Sequence, residues 1–153
     1  MEKVKRYEFT ALLVLVVFVA LQLCILNPAV AASDCSTVCQ GSFVIDEIDT
    51  VADLEALSGC TTVTGNLSIE YSPLTSLEGL KCLAHVDGRL DIKLNESLTS
   101  LAGPNSLESV AGNLLILYNG ELRTSMAEAL RGRLLKTGGT DASIHISMNK
   151  PGC

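Results

Sequence analysis

The sequence predicts a mainly β protein, a short parallel β-helix of about four to five coils with a short helix capping each end. Three observations predict it. A motif recurs as "VTGNLSI" at 63–69, "VDGRLDI" at 86–92 and "VAGNLLI" at 110–116. Its isoleucines, with Ile45 before them, follow at intervals of 24, 23 and 24 residues. Two helix-like segments flank the repeats. A period in the twenties is the mark of a stacked architecture, because no single unit can bury its own apolar face.

The elements follow in chain order. Phe43, Leu67, Leu90 and Leu114 stand two residues before the four isoleucines. Alternation at period two puts both residues of each pair on one face of a strand. Gly65, Gly88 and Gly112 precede those pairs, each behind Val63, Val86 or Val110, and place a bend where the chain enters the strand. "LTSL" at 74–77 and again at 98–101 is expected as the second wall. Asn95 and Asn119 lie three residues past their isoleucines, with Ser72 at the equivalent place. They read either as stacked amides that satisfy the turn backbone or as ordinary turn formers.

The first helical segment is "DTVADLEALSG" (49–59). It has Val51, Leu54 and Leu57 at three-residue spacing, Thr50 and Asp53 as a partial capping box, and Gly59 as a stop. The second is "SMAEALRGRLLKTGG" (125–139). Ser125 and Glu128 form its capping box, Leu130, Leu134 and Leu135 its apolar face, and Gly138 its stop. Each is expected to cover one open end of the stack, where strand edges would otherwise be bare. "SIHIS" (143–147) alternates once more as a closing strand.

Residues 1–32 read as a secretory signal peptide: Lys3, Lys5 and Arg6, an apolar run over 11–26, then Ala29, Ala31 and Ala32 as the cut site. An uncleaved anchor helix is the alternative, although the run is short of the ~20 residues that span a bilayer. Residues 33–153 then form the one folded domain, with no membrane span after cleavage. The full chain of 153 residues carries a formal charge of −6, and the leader holds three of its basic and two of its acidic residues. An acidic surface repels phosphate backbones, so nucleic acid is not an expected partner.

Export makes disulfides the default for the five cysteines left after Cys24 departs: Cys35, Cys39, Cys60, Cys82 and Cys153. Their spacing lacks the pairs of a metal site, and His85 and His145 stand apart from them. An odd count leaves one thiol over. The histidines read as strand-face residues, and Asp87 and Glu108 as isolated turn carboxylates. With no phosphate loop and no convergent acid, base or nucleophile, no catalytic residue, metal or cofactor is expected.

"VCQGS" at 38–42, a strand, a helix and "GCTTVTGNLSI" at 59–69 resemble the receptor L domain family, the short right-handed β-helix of the insulin and epidermal growth factor receptors, with fungal cell-wall and bacterial surface relatives. The resemblance covers roughly Cys35 to Cys153. It implies a Cys39–Cys60 disulfide and Cys35–Cys82 as the second pair. In bacterial relatives a terminal Cys meets a Cys near the start of the last helix, where this chain has Thr124 and Ser125. That departure leaves Cys153 a free thiol or a bridge between two chains.

The function expected is that of a secreted or cell-surface, non-catalytic module binding a protein, peptide or glycan. The alternative is a structural wall or surface component, or a truncated L-domain protein with no ligand of its own. The residues flanking each isoleucine should point outward in two columns: Val44, Ser68, Asp91, Leu115 and Asp46, Glu70, Lys93, Leu117. Glu70 and Lys93 can pair, while Leu115, Leu117 and Tyr118 form an apolar cluster. Either the cluster is an interaction patch, or the final helix or closing strand folds over it as core. "NLS" at 66 and "NES" at 95 are glycan acceptor sequons, with Asn66 facing out and Asn95 tied into a turn.

Overall fold

A computed structural model describes residues 34–48, 50–139 and 143–152. The expected signal peptide, its cut site and Cys153 lie outside the described residues.

Alternating apolar residues over short runs produce short strands, nine of them among the described residues, each two to four residues long. β1 (Thr37–Cys39), β3 (Cys60–Val63), β5 (His85–Val86) and β7 (Ser109–Val110) make a four-stranded sheet in that order. β2 (Phe43–Ile45), β4 (Leu67–Glu70), β6 (Leu90–Lys93), β8 (Leu114–Leu117) and β9 (Ile144–Ser147) make a five-stranded sheet. All pairings are parallel. In the larger sheet the register superimposes Phe43, Leu67, Leu90, Leu114 and Ile144, and likewise Ile45, Ile69, Ile92, Ile116 and Ile146. The sequence repeat is therefore the strand register.

The expected fold class is corrected here. The described residues form two parallel sheets with two helices, an α/β-like arrangement, and not a mainly β helix of coils with a helical cap at each end. Helix α1 (Thr50–Ala56) covers no end: it packs beside β2 and the 3-10 turn Glu78–Leu80. Helix α2 (Thr124–Thr137) packs against β7 and β9. Both are connections between strands. The expected second wall is corrected as well. The two "LTSL" segments meet at the isolated bridge Ser76↔Ser100 and at the Thr75 carbonyl, which accepts from Thr99 and Ser100, but they form no strand. The second sheet is built instead from the residues ending at Val63, Val86 and Val110.

The helices differ from expectation in detail. Val51 is exposed and Leu57 is buried, so the helical spacing runs one residue past the end of α1. Thr50 Oγ1 donates to the Asp46 carbonyl, which ties the first turn to the strand before it. Among the described residues no side chain caps the start of α2. Thr124 takes that role through the Lys150 carbonyl, which accepts its N–H at 2.9 Å and its hydroxyl at 3.0 Å. Ala127, Leu130 and Leu134 form the buried face, and Leu135 points to solvent. Gly138 does end the helix, in the left-handed region at φ +66°, as a C-terminal glycine does.

The core lies between the sheets and is aliphatic. Val63, Val86 and Val110 from one side meet the Leu and Ile columns of the other, with Leu77, Leu98 and Leu122 from the connections. Burial of a Leu or Ile side chain contributes ~1.5–3 kcal/mol, so the columns dominate the stability of the fold. The glycine column has its own cause. A Cβ on Gly65, Gly88 or Gly112 would stand 2.6–2.8 Å from the backbone carbonyl oxygen of the glycine in the layer before. Successive bends touch through their backbones.

Two disulfides pin the first layer. Cys39, at the end of β1, bonds Cys60 at the start of β3, and Cys35, just before β1, bonds Cys82 ahead of β5. Their Cα atoms stand 5.8 and 5.1 Å apart, within the ordinary range for the bond. These are the pairs the resemblance implies.

Candidate binding face on the five-stranded sheet

Strand alternation turns the residues beside each isoleucine away from the core. In register they give Val44, Ser68, Asp91, Leu115 and His145 in one column and Glu70, Lys93, Leu117 and Ser147 in the next. Asp46 is absent from the second column because β2 ends at Ile45. Its carboxylate instead accepts the Ile48 N–H at 2.7 Å, starting the turn into α1.

The polar half of the face is one charge cluster. Lys93 Nζ lies 3.2 Å from Glu70 and 3.9 Å from Asp91, and Arg89 Nε lies 3.0 Å from Asp91. Ser68 donates its hydroxyl hydrogen to Glu70. Asp91, expected in water, is instead only 1% exposed. Arg89, just before β6, and Lys93, on it, flank Asp91, with Ser68 and Leu115 beside it on the neighbours. Among the described residues neither of its oxygens accepts an aligned hydrogen bond, so its contact with Arg89 is one of charge alone. Burial raises the Asp91 pKa above the usual 3.8, and Arg89 and Lys93 offset this only in part. Glu70 goes the other way. Burial pushes its pKa up, but the Ser68 and Lys93 hydrogen bonds and the nearby positive charges outweigh this and hold it below 4.5.

The apolar half is uncovered. Leu115 and Leu117 are partly exposed and Tyr118 is 53% exposed. The closing strand β9 pairs alongside β8, with His145 beside Leu115 and Ser147 beside Leu117. It widens the face instead of folding over it. Tyr118 also owes its position to the backbone. Tyr71, Leu94, Tyr118 and Met148 follow their strands at φ +54° to +59°, a region in which side chains other than Gly and Asn are uncommon. The left-handed residue breaks the alternation, so two successive side chains point outward before the next returns to the core.

The returning side chains are Ser72, Asn95, Asn119 and Asn149, and the last three stack as amides. Asn95 Oδ1 accepts the Ser72 N–H at 2.9 Å, Asn119 Oδ1 that of Asn95 at 3.1 Å, and Asn149 Oδ1 that of Asn119 at 3.1 Å. Each amide nitrogen donates to an isoleucine carbonyl of the preceding layer, Ile69, Ile92 or Ile116, at 2.8–2.9 Å. Sequence reasoning missed Asn149, although it too lies three residues past its isoleucine. It also missed Arg89, although 89 precedes β6 in the same alternation as 91 and 93.

The acceptor asparagines differ. Asn66 is exposed and its Oδ1 accepts the Arg89 N–H at 2.8 Å, whereas Asn95 is 0% exposed within the amide stack. His85 shares a 2.9 Å contact with Ser109, and His145 is open to solvent. Among the described residues no group of three or more His, Cys, Asp or Glu is placed to hold a metal ion, and no helix is long and apolar enough to cross a membrane. No protein-family model, curated protein or solved structure matches this chain.

Proposed function

We propose that the chain is an exported, non-catalytic binding module of the receptor L domain kind, which captures a protein, peptide or glycan on the outward face of its five-stranded sheet. One observation carries the reading: a flat parallel face on which Leu115, Leu117 and Tyr118 stand uncovered beside the Glu70–Lys93–Asp91–Arg89 cluster. An apolar patch rimmed by paired charges has the composition of an interaction surface. Export, with residues 1–32 as its signal, is supported by the two disulfides, which persist in oxidising compartments. The family reading rests on the "VCQGS" and "GCTTVTGNLSI" motifs and on the disulfide pairs they imply.

The test is affinity capture from the source of the protein, followed by mass spectrometry, with wild type and the Leu115→Asp, Leu117→Lys double variant. The variant should be secreted and folded and should lose the captured partner. Equal capture by both proteins would remove the face from consideration. A variant that fails to be secreted would make the patch part of the core.

A further inference from the structure

Beside this face, where the chain leaves the larger sheet, lies an open groove of about 470 Å³ that spans three layers. Its apolar lining comes from Tyr71, Pro73 and Leu94. Its polar lining includes Glu47, Glu96 and Ser97. The tyrosine is 59% exposed, held outward by its left-handed backbone. Glu47 and Glu96 stand two layers apart, roughly 10 Å along the stack, and both side chains are long enough to converge on one cation. Among the described residues neither glutamate has a basic partner. Further along the same corner Glu121 does have one, with Lys150 at 2.6 Å. Among the described residues no basic side chain lines the groove.

We propose that this groove holds an arginine side chain of an extended basic partner polypeptide. The aliphatic stem would lie on Pro73 and Leu94, the guanidinium would stack on Tyr71, and Glu47 and Glu96 would accept its hydrogens. Arginine fits better than a compact ammonium because its planar cation can stack on an aromatic ring and still present a fork of donors to carboxylates. Charge complementarity favours this occupant over a neutral glycan: the chain is acidic overall, and the groove itself adds two carboxylates and no cation. The inference is independent of the sheet-face reading, since none of the groove residues belongs to the Leu115–Leu117 patch.

Fluorescence anisotropy of a labelled peptide of alternating glycine and arginine, titrated with the purified protein, tests it. The peptide should bind. Its citrulline counterpart, which keeps the shape and loses the charge, should bind about tenfold more weakly or worse. Glu47→Gln with Glu96→Gln should weaken the arginine peptide by about the same factor, as should Tyr71→Ala alone. These side chains are exposed, and a circular dichroism spectrum like that of wild type should verify folding. Glu78→Gln with Glu108→Gln removes equal charge elsewhere and should leave binding unchanged. Leu115→Asp with Leu117→Lys should also leave it unchanged, which separates this site from the sheet face. Equal binding of the citrulline peptide, equal weakening by the control pair, binding of a neutral oligosaccharide in place of the peptide, or no binding at all would overturn the proposal.

Discussion

Asp91 and Glu70 share one pair of cations and titrate in opposite senses. The folded pKa of Asp91 lies above 3.8 because burial outweighs Arg89 and Lys93. The stability linked to its proton is therefore full below pH 3.8 and is lost as pH rises through the folded pKa. The folded pKa of Glu70 lies below 4.5 because its hydrogen bonds and Lys93 outweigh burial. Its contribution is present above pH 4.5 and is lost as pH falls through the folded pKa. Urea midpoints measured from pH 3 to pH 7 should separate the two. Asp91→Asn should gain relative to wild type as pH rises, and Glu70→Gln should lose. Parallel curves for the two variants would contradict the assignment. The two acceptor asparagines divide just as sharply. In a eukaryotic host glycopeptide mapping should find Asn66 occupied, since its side chain reaches solvent. Asn95 should be empty in folded, secreted protein, because a glycan there would break the amide stack.

At the scale of elements, the asparagine stack carries the polar pairing of the strands on into the turns that follow them. Asn119 accepts from Asn95 N–H and donates to the Ile92 carbonyl, both buried. Asn119→Ala leaves both groups without partners and should cost about 3 kcal/mol. Asn113→Ala, an exposed side chain in the bend, should change stability by less than ~0.5 kcal/mol. Chemical denaturation of the two variants measures the contrast. Strand register was legible because Leu and Ile recur at a fixed interval and only one alignment buries them all. The layout of the elements was not. The valines read as the entry to one strand, yet the glycine bend behind them separates two sheets, and periodicity in a linear sequence does not show on which side of a bend a strand pairs. The helices read as end covers because they flank the repeats in sequence, whereas α1 packs beside β2 and the 3-10 turn Glu78–Leu80, and α2 against β7 and β9. The face itself was largely legible from alternation. What alternation could not show was the burial of Asp91, which depends on long side chains from the next positions folding over it.

For the whole molecule, stability is graded along the stack. Among the described residues inner strands have a neighbour on both sides, while the edge strands β1 and β2 at the start and β7 and β9 at the end have one each. The two disulfides sit at the first of these edges, at either end of β1. They are nested: the loop of separation 21 lies inside the loop of separation 47. On the chain-entropy account, closing loops of these lengths stabilises by about 3 and about 4 kcal/mol respectively when each acts alone. Nesting makes the sum smaller, since the outer bond already limits the inner loop. Cys39→Ala with Cys60→Ala should therefore cost less than the isolated value while Cys35–Cys82 remains. Removing both pairs should cost more than either alone but less than the total of the two. Urea denaturation of the three variants gives the energies, and hydrogen exchange gives the location. Amides of residues 37–45 should lose protection first, while those of β6 and β8 keep theirs until global unfolding. Uniform loss of protection across both sheets would mean that the layers unfold as one unit and that the disulfides act on the whole chain rather than on its first layer.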